Sequence, residues 1–225
     1  LGNLELGIKK QSSELAYAIN YYYMDYKDQL VLTGELNDVG SSIRTNVDKS
    51  YRTGIEASVA YAIHDKLNIG ANITLSKNKI KDFEEVLYQY LDDDVNIITN
   101  HYQDTDIAYS PEVIAGGEIS SRPFKGFEVA LMPKYVGKQY MDNTSNENRK
   151  IDGYFVSDLR MAYALPVNWA NEVKLSLLVN NIFDAMYVSN GFTYSYIYGD
   201  DYHVTENFYY PQAGINFLAG LSIKF

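Results

Sequence analysis

The chain has 225 residues, no cysteine, 22 tyrosines and a formal net charge of −10 at pH 7. The missing cysteine excludes disulfide scaffolds, thiolate metal sites and a cysteine nucleophile, and the acidic balance argues against a nucleic-acid partner, which needs a basic face. No apolar run approaches the ~20 residues of a membrane helix, but membrane strands need only ~9–11 alternating residues.

Apolar and polar residues alternate along most of the chain, which predicts strands with two different faces. Nine strands are predicted, and the fifth has the weakest pattern because Gly116 and Gly117 interrupt it. In chain order they cover residues 4–9, 15–32, a stretch ending at 55–63, 67–76, 113–121, 127–135, 155–165, 173–180 and 213–225.

The last predicted strand, Ala213 to Phe225, is apolar on one whole face. Such a face needs either a protein core or a lipid bilayer beside it. Charged residues of the other strands lie on the opposite, polar faces, where a wet barrel lumen would solvate them; on a lipid face each Arg or Lys would cost ~2–4 kcal/mol at the midplane. These inward residues are Glu128, Lys134, Asp158, Arg160 and Lys174.

The lengths of the connections between strands favour a lipid bilayer over a protein core beside the apolar face. Short connections near residues 11–13, 64–66, 123–126 and 167–171 alternate strictly with long ones at 34–42, 84–106, 142–152 and 189–207. Outer-membrane barrels have this layout, with tight periplasmic turns and long extracellular loops, whereas a Greek-key sandwich has no reason to keep it. Because single-chain bacterial barrels generally have an even strand count, nine strands suggest a part of a larger barrel.

Six segments carry a family resemblance, in order along nearly the whole chain: Tyr23–Val31, Asn46–Glu56, Ala108–Glu112, Tyr135–Tyr140, Val179–Asp184, and Tyr210-Pro211 followed by Gly220–Phe225. Together they resemble the C-terminal third of TonB-dependent outer-membrane receptors, in the style seen in Bacteroidetes. The resemblance implies an all-β, antiparallel up-and-down barrel of 22 strands, of which residues 1–225 would form the last nine.

The same resemblance implies a function and partners. The receptor would sit in outer-membrane lipid, bind a large extracellular nutrient, and couple to the TonB complex through an N-terminal plug that this chain lacks. Ferric siderophore or haem is favoured over oligosaccharide as the nutrient, and no cofactor or enzymatic activity is expected. Two alternatives stay open: a small outer-membrane barrel enzyme or adhesin, and a soluble β-sandwich carbohydrate-binding module.

Catalytic and metal sites are weakly supported by the sequence. His64 falls in a short turn and His101 and His203 in long loops, so no predicted strand carries a histidine that could face a serine. The run 92–94, with Asp104 and Asp106 further on, offers carboxylates of the kind Ca²⁺ prefers, but it lacks EF-hand spacing. A solvated acidic loop is the preferred interpretation, and calcium binding by residues 92–106 stays open.

Two aromatic features are candidate sites. The last long loop offers tyrosines that combine contact area with a hydrogen-bonding tip, and strand extension explains them equally well. Its candidate ligand contacts are Tyr194, Tyr196, Tyr198, Tyr202 and His203. By the resemblance, Phe225 is a C-terminal assembly signal for the outer-membrane insertion machinery, while a lipid-facing position at the periplasmic interface also suits it.

Overall fold

The computed structural model describes residues 1–36 and 42–225, and the regular elements in those ranges are β-strands. Within them, no helix is long and apolar enough to cross a membrane. The strands are β1 (Gly2–Gln11), β2 (Leu15–Leu36), β3 (Ser42–His64), β4 (Leu67–Tyr90), β5 (Val95–Asp106), β6 (Val113–Ser121), β7 (Phe127–Val136), β8 (Gln139–Tyr140), β9 (Lys150–Ile151), β10 (Tyr154–Leu165), β11 (Glu172–Asn180), β12 (Val188–Tyr198), β13 (Tyr202–Pro211) and β14 (Asn216–Lys224).

Nine strands form one antiparallel wall in the order β1-β2-β3-β4-β6-β7-β10-β11-β14. Because neighbours in this wall follow one another along the chain, the topology is up-and-down. The predicted all-β antiparallel architecture, its nine wall strands and its four short connections, at residues 12–14, 65–66, 122–126 and 166–171, are confirmed. Strands β1 and β14 form the two edges of the wall, and they do not pair with each other in the described residues.

The register keeps one face of the wall apolar. From β2 to β14, odd-numbered residues pair with odd-numbered residues, as in Ile19 with Ala57 and Leu175 with Leu221. Strand β1 has the opposite parity, since Ile8 pairs with Ile19. The apolar side chains on this face stay exposed, with Ile8 at 62% and Leu221 at 63%. An apolar face of this extent is suited to lipid.

The other face of the wall is polar, as predicted. The Arg160 guanidinium lies 3.7 Å from Glu118 and 3.8 Å from Glu128, so three adjacent strands place their charges on one side. Lys134, Asp158 and Lys174 share this even-numbered face through the same register. Each charge is thereby kept off the apolar face, where it would be costly.

Two predicted long loops are hairpins rather than irregular connections. Most of the connection predicted at 84–106 consists of the outer half of β4 paired with β5, and that at 189–207 lies in the hairpin β12–β13. Strand pairing continues there because both stretches keep alternating β-branched and aromatic residues. The predicted connection 142–152 is largely irregular, and residues 37–41 of the connection 34–42 lie outside the described residues.

The prediction that no strand carries a histidine was also wrong. His101 lies in β5, His203 in β13, and His64 is the last residue of β3, so strands do carry histidines. His101 lies 3.4 Å from Glu84 and is mostly exposed.

A small apolar core sits on the inner side of the wall beyond its polar zone. Ile80 is fully buried there and packs with Val31, Val47, Phe83 and Ile107. The Phe83 and Tyr102 rings lie 6.5 Å apart. Each such side chain contributes roughly 1.5–3 kcal/mol when fully buried, which fixes the base of the β4–β5 hairpin to the wall.

Candidate ligand-binding surface

The two hairpins meet at their tips. Strand β12 runs parallel to the outer end of β4, with Ile197 beside Gln89 and Tyr198 beside Tyr90. The backbone N–H of Gly199 donates a 2.9 Å hydrogen bond to the carbonyl of Tyr90. Gly199, in the turn between β12 and β13, has φ +63°, a conformation that suits glycine. Segments far apart in sequence thus share one surface.

This surface is lined by tyrosines. Tyr194, Tyr196 and Tyr198 alternate along β12 and so point to one side, and Tyr202 of β13 pairs with Tyr198. Tyr90 of β4 completes the group, because its ring lies 5.8 Å from that of Tyr196, nearly perpendicular to it. The Tyr194 and Tyr196 rings are 5.5 Å apart. We call these five side chains the aromatic face.

The aromatic face offers neutral hydroxyl groups. The Tyr90 and Tyr194 hydroxyl oxygens lie 3.3 Å apart, within hydrogen-bonding distance. Burial, and then this hydrogen bond, raise the pKa of the Tyr194 hydroxyl to about 12. The neutral Tyr194 hydroxyl is thereby favoured, and it is available as a hydrogen-bonding group. Tyr198 and Tyr202 are exposed at 61% and 69% and are free to contact a ligand.

The structure separates His203 from the four predicted tyrosines. It pairs with Ile197, so it lies on the side of the hairpin opposite to Tyr196 and Tyr198. Its imidazole Nε2 lies 3.3 Å from the Asp201 carboxylate. Four of the five predicted contacts are thus brought together with Tyr90, and the fifth is not.

A buried ion-pair network supports the hairpins from behind. Arg149, in the connection between β8 and β9, forms ion pairs with Glu85 of β4 and, at 2.8 Å, with Asp142. Burial lowers the pKa of Arg149, but the hydrogen bonds and charges of Asp142 and Glu85 outweigh it and raise that pKa overall. The Tyr102 hydroxyl donates a 2.9 Å hydrogen bond to Glu85, which joins β5 to the network.

The irregular segment 141–149 is held by further contacts. The Asn143 side chain, 2% exposed, donates to the Leu32 carbonyl at 3.0 Å and accepts from the Ala108 N–H at 2.8 Å. Gly191 of β12 packs closely on this segment, since a Cβ there would come within 3.0 Å of the Met141 sulfur. A cavity of about 90 Å³ remains between the segment and both hairpins.

The sequence did not indicate this network. Arg149 and Glu85 are 64 residues apart, and neither belongs to a recognisable motif. One local signal was present: Glu85 lies between Phe83 and Leu87 on the same inward face of β4. A carboxylate in an apolar row is rarely left without a cationic partner.

The acidic residues considered for calcium do not form one cluster. Asp94 lies at the tip of the β4–β5 hairpin, where its carboxylate accepts a hydrogen bond from the Val95 N–H. Asp104 and Asp106 lie at the other end of β5 and pair with Lys81 and Lys79. The described part of the chain contains no group of three or more acidic or histidine side chains arranged for a metal ion.

An apolar outer face, a polar inner face, short turns at one end and long hairpins at the other define the wall of an outer-membrane β-barrel. Residues 3–182 match the family model described as "TonB dependent receptor-like, beta-barrel". The chain belongs to this family, and its location is the outer membrane. The match is to the family as a whole, so the Bacteroidetes style stays a prediction.

Solved structures share the fold. The chain matches the ferric-catecholate import receptor Fiu from E. coli K12 with a TM-score of 0.64 and 23% identity, over 96% of this chain and 26% of that one. It matches the siderophore receptor PiuA from Acinetobacter baumannii with a TM-score of 0.68 and 18% identity, over 97% of this chain and 28% of that one. It matches the copper transporter OprC with a TM-score of 0.65 and 17% identity, over 99% of this chain and 30% of that one. The chain therefore spans between a quarter and a third of these proteins.

Proposed function

We propose that residues 1–225 are the C-terminal part of the barrel of a TonB-dependent receptor that imports a large extracellular nutrient. The remaining wall strands and the plug, which couples to the TonB complex, would belong to the rest of the protein. The observation that carries this proposal is the aromatic face, which stands at the end of the wall opposite the short turns. In a receptor of this family, that end faces the outside of the cell.

The two edges of the wall support the proposal that these strands are one part of a larger barrel. Strands β1 and β14 each have one wall neighbour, and backbone groups left unpaired in lipid cost several kcal/mol each. The missing neighbours would be other strands of the same barrel, with β14 pairing with the first. The matched structures are named as import receptors and a transporter, and we propose a transport receptor rather than an enzyme.

Iron chelates are the nutrient class we propose, with ferric siderophore or haem ahead of oligosaccharide. Two of the matched structures are named as receptors for a ferric catecholate and for a siderophore. Tyrosine rings and neutral hydroxyl groups suit the organic ligand shell of such a chelate. The same chemistry also suits sugar rings, so an oligosaccharide is the second candidate.

The proposed contacts are Tyr194, Tyr196, Tyr198 and Tyr202, with His203 as a separate contact on the other side of the hairpin. In the full-length receptor, replacing Tyr196 and Tyr198 by alanine should lower ligand affinity about tenfold, because two aromatic contacts are lost. Thr205→Ala, on the opposite side of β13, is the matched control. His203→Ala tests the separate contact.

Uptake is tested in an iron-limited host that expresses the full-length receptor as its only importer of this class. The probes are a ferric tris-catecholate, a ferric tris-hydroxamate, haem and a maltodextrin. Growth on at least one iron source, reduced by the tyrosine exchanges but not by Thr205→Ala, supports the proposal. Uptake of labelled maltodextrin, with no growth on any of the iron sources, would refute the iron assignment.

A further inference from the structure

The two hairpins that carry the aromatic face have a one-sided charge. Residues 82–106 contain eight Asp or Glu and residues 188–211 contain three, and neither range contains a Lys or Arg. A face built for a strongly anionic ligand would be expected to carry Arg or Lys, which bind carboxylate and phosphate groups directly. The charge of these hairpins therefore bears on what the aromatic face accepts.

The compensated acidic residues lie away from the tips. Asp106 and Asp104 pair with Lys79 and Lys81 at the base of β5, and Glu85 pairs with the buried Arg149. These charges are balanced where they stand.

The tips hold the uncompensated charge. In the described residues no Lys or Arg forms an ion pair with Asp92, Asp93, Asp94, Asp200 or Asp201, and all five are exposed. The pairing of β12 with the end of β4 brings the two turns side by side, and the Gln89 amide bonds both the Gly199 and Asp200 carbonyls. Glu206 adds a carboxylate directly across from Tyr194.

We infer that this part of the receptor selects an iron chelate of zero or positive net charge, of the ferric tris-hydroxamate type, and disfavours a ferric tris-catecholate. The inference rests on the proposed function and narrows its ligand. Three singly charged hydroxamates balance Fe(III), whereas three doubly charged catecholates leave three negative charges. Those charges would approach five aspartates and one glutamate around the aromatic face.

The size of the effect follows from screened Coulomb interaction. At ~10 Å in water and physiological salt, each tip carboxylate weakens binding of a trianion by about twofold and leaves a neutral chelate unaffected. Several carboxylates acting together give a preference of roughly tenfold or more. Because the interaction is exposed, the preference should shrink as salt is added.

The experiment uses the detergent-solubilised full-length receptor and measures the affinity for each chelate by fluorescence quenching. The variant replaces Asp92, Asp93, Asp94, Asp200 and Asp201 by asparagine, and Asp65→Asn, in the short turn after β3, is the control. We expect the wild type to bind the ferric tris-hydroxamate more tightly. In the five-site variant, the affinity for the tris-catecholate should rise about twofold for each carboxylate removed, and the affinity for the tris-hydroxamate should not change.

Each outcome distinguishes the two proposals. Tighter wild-type binding of the tris-catecholate, or equal affinities for it before and after the five exchanges, overturns the charge inference and leaves iron uptake standing. Failure of both chelates to bind, with haem or maltodextrin bound instead, removes the siderophore ligand on which the inference rests. Asparagine is close in shape to aspartate, and the amount of receptor in the outer membrane reports folding of the variant.

Discussion

The side chain of Gln89 donates a 2.9 Å hydrogen bond to the carbonyl oxygen of Gly199, and so joins residues that are 110 positions apart in the chain. This contact aligns the tip of the β12–β13 hairpin with the end of β4. The five tyrosines of the aromatic face are presented as one surface only while the tips stay together.

The first prediction concerns this contact. Gln89→Ala removes it at a net cost of about 1 kcal/mol, which should speed hydrogen exchange of the Gly199 amide roughly fivefold. Gln103→Ala, an exposed glutamine on β5, is the matched control and should leave that exchange rate unchanged. Equal rates in the two variants would mean that the Gln89 side chain does not hold the tips.

The second prediction concerns Arg149. Arg149→Met leaves the carboxylates of Glu85 and Asp142 without their cation, and breaking a buried pair in this way costs about 3–5 kcal/mol. The segment 141–149 should become sensitive to proteolysis in the folded receptor. Adding Glu85→Gln to Arg149→Met should restore part of the resistance, because a buried unpaired charge is then removed. Lys138→Met removes the exposed pair with Glu147 and the exposed contact with Tyr140, and it should have little effect.

A third prediction concerns high pH. Burial, followed by the charge and hydrogen bond of Glu85, raises the pKa of Tyr102 to about 12 from its usual 10. The neutral form is thus favoured in the folded state, so stability is full below pH 10 and falls as pH rises toward 12. Protease resistance of the β4–β5 hairpin should decline in that window. Tyr102→Phe cannot ionise, so a decline of the same size in this variant would argue against the assignment.

A fourth prediction concerns Phe225, which is 83% exposed and whose ring lies 6.2 Å from that of Trp169. We propose Phe225 as the assembly signal that the family resemblance implies, and it should then be needed for insertion rather than for binding. Phe225→Ala in the full receptor should lower its outer-membrane level several-fold and leave the ligand affinity of inserted molecules unchanged. Phe217→Ala, which removes another exposed phenylalanine from β14, separates the signal from a general loss of apolar surface. The two variants should therefore differ in level.

Much of the wall could be predicted because lipid imposes a simple rule on the sequence. Alternation from Ile19 to Leu221 and the short polar turns are local features, and together they specify strands, facing and order. The outer hairpins keep the alternation, but the order of short and long connections assigned them to loops, and the meeting of their tips depends on partners distant in sequence. The pairing of Tyr198 with Tyr90 and the ion pair of Arg149 with Glu85 have no local signature.

The family motif Val179–Asp184 has a structural role. The Asn181 side chain donates to the carbonyls of Ala185 and Ala213 and accepts from the Ala185 N–H, and it is 3% exposed. Asp184 accepts a 2.8 Å hydrogen bond from the Ile215 N–H. The motif thus anchors the two ends of the β12–β13 hairpin to the wall. It predicts the fold of the chain and carries no information on the ligand.

The length of β4 determines how far its outer end extends beyond the membrane. Its 24 residues, at about 3.3 Å each, measure roughly 80 Å along the strand, and a tilt of about 40° still leaves roughly 60 Å of height. The apolar band of an outer-membrane barrel is only about 25 Å tall. The outer end of this strand therefore stands tens of ångströms above the lipid, on the same hydrogen-bonded ladder that crosses it. Molecules arriving from outside would therefore meet the tyrosines of the aromatic face well before they reached the membrane.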